Sequence, residues 1–241
     1  LQPNTTLKYL DEIVKVNADL CAKISGIAAA GHFPLVLGGD HSIAIGTLAA
    51  LKQKAGPFGL IWFDAHTDVN TAATTPTGNI HGMSLAVALG YGDPRLTGIG
   101  GAATNIKPEH TVIIGARSVD PGERDFLREL GVNVFTIRDV ERLGISKVTE
   151  RALEMAAAGT AGIHLSLDLD GLDPRDAPGV GTPVPGGISL RECLLAMELI
   201  SDAGTVVSAE FVEVNPTLDH RNRTAKITVD LIGTLFGERI I

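Results

Sequence analysis

A chain of 241 residues, 44% of them hydrophobic, is long enough to bury a substantial core, and an α/β chain of this size is expected to form a single catalytic domain spanning 1–241. A formal net charge of -8 argues against a nucleic-acid partner, which calls for a basic stripe, and the two cysteines, Cys21 and Cys193, have no C-x-x-C spacing to suggest a zinc ribbon or dithiol centre. With no apolar run long enough to cross a bilayer and no basic-then-apolar leader, the expectation is a cytoplasmic protein acting on a small molecule, without a membrane partner.

Along the chain, Leu7, Leu10, Ile13, Val14, Leu20, Cys21 and Ile24 recur at three- and four-residue intervals and predict an amphipathic helix that Gly31 ends. Residues 33–37 are a short apolar run closed by Gly38-Gly39, which predicts a buried strand stopping at a tight turn. Ile45, Leu48 and Leu51 restore helical spacing over 42–54, and Gly56-Pro57 breaks it before a second buried strand at 59–63. Apolar runs at 111–116, 132–137, 163–169 and 206–212 alternate with helical stretches that include 146–158 and 189–202. Asp120-Pro121-Gly122-Glu123 and the capping box Ser189-Leu190-Arg191-Glu192 mark two helix starts. Such alternation predicts an α/β fold with three layers, α/β/α, around a central, mostly parallel sheet. The Gly/Pro-rich stretch 170–187 reads as an active-site loop.

Ligands of open α/β sheets sit beyond the C-terminal ends of the strands. Three polar clusters fall there: Gly38-Gly39-Asp40-His41, Asp64-Ala65-His66-Thr67-Asp68 and Asp168-Leu169-Asp170-Gly171-Leu172-Asp173. Alternation along a strand places Asp64 with His66, and Asp168 with Asp170, on common faces. A lone Asp after a strand is usually a turn or helix cap. Four carboxylates and two imidazoles brought together repel unless cations balance them, and two divalent ions nearly balance four carboxylates and a hydroxide. Oxygen and imidazole donors without thiolate suit manganese, with iron, cobalt, nickel and zinc left open.

Gly38-Gly39-Asp40-His41-Ser42, Asp64-Ala65-His66-Thr67-Asp68, Ser166-Leu167-Asp168-Leu169-Asp170-Gly171-Leu172-Asp173-Pro174 and Glu213-Val214-Asn215-Pro216 resemble the signature blocks of the ureohydrolase family. The resemblance implies two Mn2+ per subunit. One is held by His41, Asp64, Asp68 and Asp168, and the other by Asp64, His66, Asp168 and Asp170, with Asp64 and Asp168 bridging. Within the family, Asp68-Val69-Asn70-Thr71 followed by Thr77-Gly78-Asn79-Ile80-His81-Gly82 is more similar to arginases than to agmatinases, and Asn70 discriminates. The implied reaction is hydrolysis of L-arginine to L-ornithine and urea, in which a hydroxide bridging the metals attacks the guanidinium carbon.

By the same resemblance, Asn70, Thr77 and Asn79 hold the substrate α-carboxylate, and Asp120 and Glu123 meet its α-amino group directly or through water. Asp120 and Glu123 also belong to a helix start, and the two roles are compatible. Asp68 is implied to steer the nucleophile and relay its proton, and His81 to shuttle protons to solvent. Glu213 follows an apolar strand, where its carboxylate can pair with the guanidinium, and Thr182 in the glycine-rich loop is expected to line the same pocket. Thr77 stands where the family often has Ser, keeping the hydroxyl, and Ser84 stands where Pro is frequent and is expected to be scaffold. His32, His110, His164 and His220 match no family site residue, although His164 shares strand parity with Asp168 and is read as core or as support behind the site.

Other ureohydrolases, acting on agmatine, guanidinobutyrate or formiminoglutamate, would keep the metals and change the residues that read the far end of the substrate. A binuclear metallophosphoesterase would add basic phosphate clamps, which the sequence does not show. A metal-stabilised scaffold without turnover would be favoured by a missing ligand or a missing His81, and both are present. Relative to the family, an opening strand and the loop after it are expected upstream of Leu1, and a chain without them is expected to be less stable and less active. Family members are commonly trimers or hexamers, so a homotrimer or homohexamer is expected.

Overall fold

The computed structural model describes residues 7–51, 56–101 and 106–239. Helix α1 (Leu10–Ala29) leads through β1 (Leu35–Leu37) and α2 (Ala44–Leu51) to β2 (Phe58–Phe63). Two short helices, α3 (Ser84–Ala88) and α4 (Pro94–Thr97), precede β3 (Ile106–Ala116), α5 (Pro121–Leu130), β4 (Asn133–Thr136) and α6 (Ile137–Leu143). The chain closes with α7 (Ile145–Ala157), β5 (Ile163–Asp168), α8 (Leu190–Ala203), β6 (Val206–Val212) and α9 (Arg223–Leu235). Among the described residues no helix is long and apolar enough to cross a membrane.

Among the described residues the sheet has six strands, all parallel, in the order β1-β6-β5-β2-β3-β4. Strand alternation divides β2 between two cores. Ile61 and Phe63 face Val148, Ala152 and Ala156 of α7 and Met197 of α8, whereas Leu60 and Trp62 face Leu48 and Leu51 of α2 and Leu85 of α3. Helix α1 packs outside α2, with Cys21 and Ile24 against Ile45 and Ala49. The result is the expected three-layer α/β/α arrangement. Helix α7 lies so close to β2 that a Cβ on Gly59 would strike the Ala156 carbonyl oxygen, which explains a glycine inside a central strand.

Several expectations need correction. Among the described residues the run at 33–37 is a strand only over Leu35–Leu37, which pairs with β6, and it is not buried as expected, with Leu35 and Leu37 36% and 67% exposed. A short apolar run does not distinguish a centre strand from an edge strand. Strand β3 begins at Ile106, not at 111, and its pairing with β2 shifts register between Phe58 and Leu60, opposite a polar stretch that hides the strand. The run 132–137 ends at Thr136, which turns from strand residue to N-cap and forms a capping box with Asp139 to start α6. Of the helix expected over 42–54, the described part runs to Leu51, and 52–54 lie outside the described residues.

Four neighbouring strands, β1, β6, β5 and β2, deliver His41, Glu213, Asp168 and Asp64 to the same end of the sheet.

Candidate active site

After β1 the chain turns at Gly38-Gly39, and Asp40 caps a single 3-10 turn (His41–Ile43) by accepting from Ser42 N at 2.9 Å. This carries His41, fully buried, over the sheet. Asp64 lies one residue past β2; its Oδ1 accepts from His66 N at 2.7 Å and its Oδ2 from the Trp62 indole N–H at 2.9 Å. Asp168 is the last residue of β5, and its Oδ1 accepts from Asp170 N at 2.7 Å, starting another 3-10 turn (Leu169–Gly171). The expected convergence of Asp64 with His66 and of Asp168 with Asp170 is therefore achieved, through Asx-type turns beyond the strands and not through strand alternation.

His41 Nδ1 faces Asp68 Oδ2 and Asp168 Oδ2 at 3.2 Å and Asp64 Oδ2 at 3.4 Å. His66 Nδ1 faces Asp170 Oδ2 at 3.1 Å and Asp64 Oδ1 at 3.4 Å. Two triplets with ligand atoms within 4.8 Å of one another result, His41/Asp64/Asp168 and Asp64/His66/Asp170, with Asp64 common to both. A third, more exposed group joins Asp40, His81 and Glu213.

The electrostatics are those of a centre poised for cations. Burial works against a charged His41, yet Asp168, Asp64 and Asp68 raise its pKa well above the usual value. Burial likewise opposes the charge on His66, and Asp170 and Asp64 raise it to about 11. Burial and the charge of Asp64 push Asp68 up to about 7, while burial and neighbouring carboxylates raise Asp168 and Asp170. Burial opposes ionisation of Asp64 too, but both imidazoles hold it well below the usual carboxylate range. His41 Nδ1 is a buried nitrogen with no aligned hydrogen-bond partner, aimed at three carboxylate oxygens. An imidazole nitrogen so placed among carboxylate oxygens fits a hard or borderline divalent ion.

Two other candidates stand in the left-handed backbone region that non-glycine residues rarely adopt, Asp68 at φ 51 and Glu213 at φ 65. Asp68 is kept there by its carbonyl oxygen, which accepts from Leu85 N and Ala86 N. Glu213 Oε1 accepts from His41 N at 2.6 Å, and burial raises the pKa of its carboxyl.

On the substrate-reading side, Asn70 Nδ2 donates to Asp120 Oδ2 at 2.9 Å, so these two expected residues form one unit. Glu123 is buried, and its two oxygens accept from Val69 N at 3.1 Å and Asp120 N at 2.9 Å. It completes the capping box of α5 and at the same time holds the segment carrying Asn70. Thr77 and Asn79 lie on the following loop, where Thr77 Oγ accepts from Asn79 N and Asn79 Oδ1 accepts from Lys8 Nζ at 3.0 Å. Thr182 Oγ donates to Asp170 Oδ2 at 3.0 Å and so touches the carboxylate cluster itself. Ser84, buried, donates to the His81 carbonyl, as scaffold should.

The family model described as the Arginase family matches residues 4–237. The chain belongs to the arginase family. The arginase of Bacillus caldovelox is 55% identical over 240 residues, covering 100% of this chain and 80% of that relative. Its native structure superposes with a TM-score of 0.97 at 54% identity, over 100% of this chain and 81% of that one. The Entamoeba histolytica arginase, solved in complex with L-ornithine, gives a TM-score of 0.88 at 38% identity, over 95% of this chain and 78% of that one.

In this arginase-family chain, four further residues shape the site, and sequence reasoning did not single them out. The Trp62 ring stacks on His41 at a centroid distance of 4.1 Å and an interplanar angle of 11°. Arg117 pins the 170–187 loop, donating to the carbonyls of Asp170, Gly171, Leu172 and Val184 at 2.7 to 3.1 Å. Ser166 and Glu210, fully buried on neighbouring strands, stand behind His41. A signal for the last existed: a glutamate inside the apolar run 206–212 must have a buried polar partner.

Proposed function

We propose that this chain, as one catalytic domain, is a binuclear manganese hydrolase that cleaves L-arginine to L-ornithine and urea. The observation that carries this reading is the pair of triplets, His41/Asp64/Asp168 and Asp64/His66/Asp170, joined at Asp64. His41, Asp64, Asp68 and Asp168 would hold one ion, and Asp64, His66, Asp168 and Asp170 the other. The absence of thiolate donors from this set favours manganese. Two divalent ions, when bound, supply a nucleophilic oxygen near neutral pH and positive charge beside the reacting carbon.

The protein's own groups do the rest. Glu213, beside His41, accepts N–H bonds from the substrate guanidinium and sets its plane. The Asp68 carboxylate takes a proton from the nucleophile and passes it to the departing amine, and His81 exchanges protons between site and solvent. The Asn70/Asp120 unit, with Thr77 and Asn79, reads the α-carboxylate and α-amino group, and Glu123 acts by holding Val69 and Asp120 in place. Thr182 positions Asp170 and lines the pocket. The ornithine complex of the Entamoeba relative supports a site sized for an amino acid. The resemblance of the signature blocks further supports a cytoplasmic homotrimer or homohexamer.

The test is urea release from L-arginine by the manganese-loaded chain, run beside agmatine. Asp68→Ala and His81→Ala are each expected to lose about 10²- to 10⁴-fold in kcat. Turnover of agmatine instead of arginine would overturn the roles of Asn70 and Thr77, and no release of urea from either would overturn the activity.

A further inference from the structure

Behind the carboxylate cluster, β5 and β6 place Ser166 opposite Glu210 and His164 opposite Ser208. All four are 0% exposed, as is His41. His41 Nε2 lies 2.8 Å from Ser166 Oγ, Ser166 Oγ lies 2.8 Å from Glu210 Oε1, and His164 Nε2 stands 3.4 Å from the same Glu210 oxygen. His164 is itself tied through Nδ1 to Ser208 Oγ at 2.8 Å. A row of five polar side chains thus runs through an apolar sheet and ends on the ring nitrogen of His41 that points away from the cluster.

We propose that Glu210 is a positioning residue which, through Ser166, decides which ring nitrogen of His41 carries hydrogen and so leaves Nδ1 free to bind a cation. This inference rests on the metal reading of the site. An ionised carboxylate only accepts, so the single hydroxyl hydrogen of Ser166 goes to Glu210. Ser166 Oγ must then accept, and the donor it meets is His41 Nε2–H. When the imidazole gives up a proton to a cation, the hydrogen that stays is the one on Nε2 and the lone pair opens on Nδ1, which faces the oxygens of Asp68, Asp168 and Asp64 at 3.2 to 3.4 Å. Stacking on Trp62 holds the ring in this plane. Without an acceptor at position 210, the Ser166 hydroxyl can turn and donate to Nε2. Hydrogen would then sit on Nδ1, where it blocks ligation.

The experiment titrates manganese into the metal-free full chain by calorimetry, for wild type, Glu210→Met, which removes the acceptor, and Glu210→Gln, which keeps one. Glu210→Met is expected to weaken one of two sites by about 10- to 100-fold and to leave the other unchanged, with Glu210→Gln recovering most of the loss. A second readout is the His41 Nε2–H proton, followed by long-range 1H–15N correlation in the zinc-loaded protein carrying 15N-histidine. It is expected to be protected from exchange in wild type and exposed to exchange in Ser166→Ala. Wild-type affinity at both sites in Glu210→Met would overturn the proposal. So would equal weakening of both sites by Met and Gln with a fall in melting temperature, which marks packing damage. A wild-type chain that takes up neither manganese nor zinc would overturn the metal reading itself, a result distinguishable from the other two.

Discussion

His41 and His66 present the same nitrogen to opposite oxygens of Asp64, yet they are supported differently. His41 is fully buried, stacked on Trp62 and backed by Ser166 and Glu210, whereas the His66 side chain is 26% exposed and, among the described residues, has no side chain hydrogen-bonded to its far nitrogen. Packing and hydrogen bonds prepare the first half of the centre before any ligand arrives. The second half depends on a loop turn and on Asp170, which Thr182 and Arg117 hold in turn. The difference teaches that one centre can combine a rigid ligand set with an adjustable one, and it predicts that the His41 half binds its ion more tightly.

The largest effect expected is from Asp64→Ala, which removes the carboxylate common to both halves. Affinity for both ions should fall by more than the roughly 10- to 100-fold typical of losing an outer partner. Retention of either ion, measured by metal analysis after gel filtration, would break the idea of a shared ligand. Next come the two imidazoles compared directly. In chelator, His41→Ala and His66→Ala should both destabilise the chain in urea unfolding, since each removes an imidazole from among buried carboxylates, and His41→Ala should cost on the order of 2 kcal/mol more because it also leaves a buried gap beside Trp62. Equal losses would mean that the contrast in burial has no energetic content.

Asp173 offers a smaller perturbation, confined to the His66 half. The Arg175 guanidinium and, against the effect of burial, the amides of Arg175, Gly186 and Gly187 hold its carboxyl well below the usual range. A depressed folded pKa means stability that is present above the unfolded value of about 4 and is lost as pH falls toward the folded one. Asp173→Asn should therefore cost about 1.5 kcal/mol at pH 7 and much less near pH 2. The same variant should loosen the His66 half alone. The smallest signal is a heat. Both imidazoles are held charged at pH 7 in the metal-free chain, His66 with a pKa of about 11, and a ligating imidazole is neutral. Metal uptake should release at least two protons, from the imidazoles and from the carboxyls held above their usual range, and tighten as pH rises. Calorimetry in buffers of different ionisation enthalpy checks this, and a buffer-independent heat would contradict it.

Much of this was legible in the sequence because it depends on short-range spacing. The alternation of strands and helices follows from periodicity, and His41, Asp64 and Asp168 stand out because polar residues interrupt apolar runs where strands end. What escaped depends on pairing. That Leu37 is exposed among the described residues follows from strand order, which no local pattern encodes. Ser166 meets Glu210 only through the β5/β6 register, across 44 residues of chain. Thr136 reads as the end of a strand because a threonine suits both strand and cap, and Asp139 three residues later decides between them.

The shortness of β1 has a consequence for how the molecule breathes. Strand β1 has three residues and, among the described residues, pairs with β6, and only Gly38, Gly39 and Asp40 separate it from His41. An ion on His41 would bind this short strand to β2 through Asp64 and to β5 through Asp168, as a latch across three strands. Fraying would then be governed by the centre as much as by the ladder: amide exchange at Leu37 and Gly38, whose N–H reaches the Phe211 carbonyl at 2.9 Å, should slow when the ion binds and quicken when it leaves.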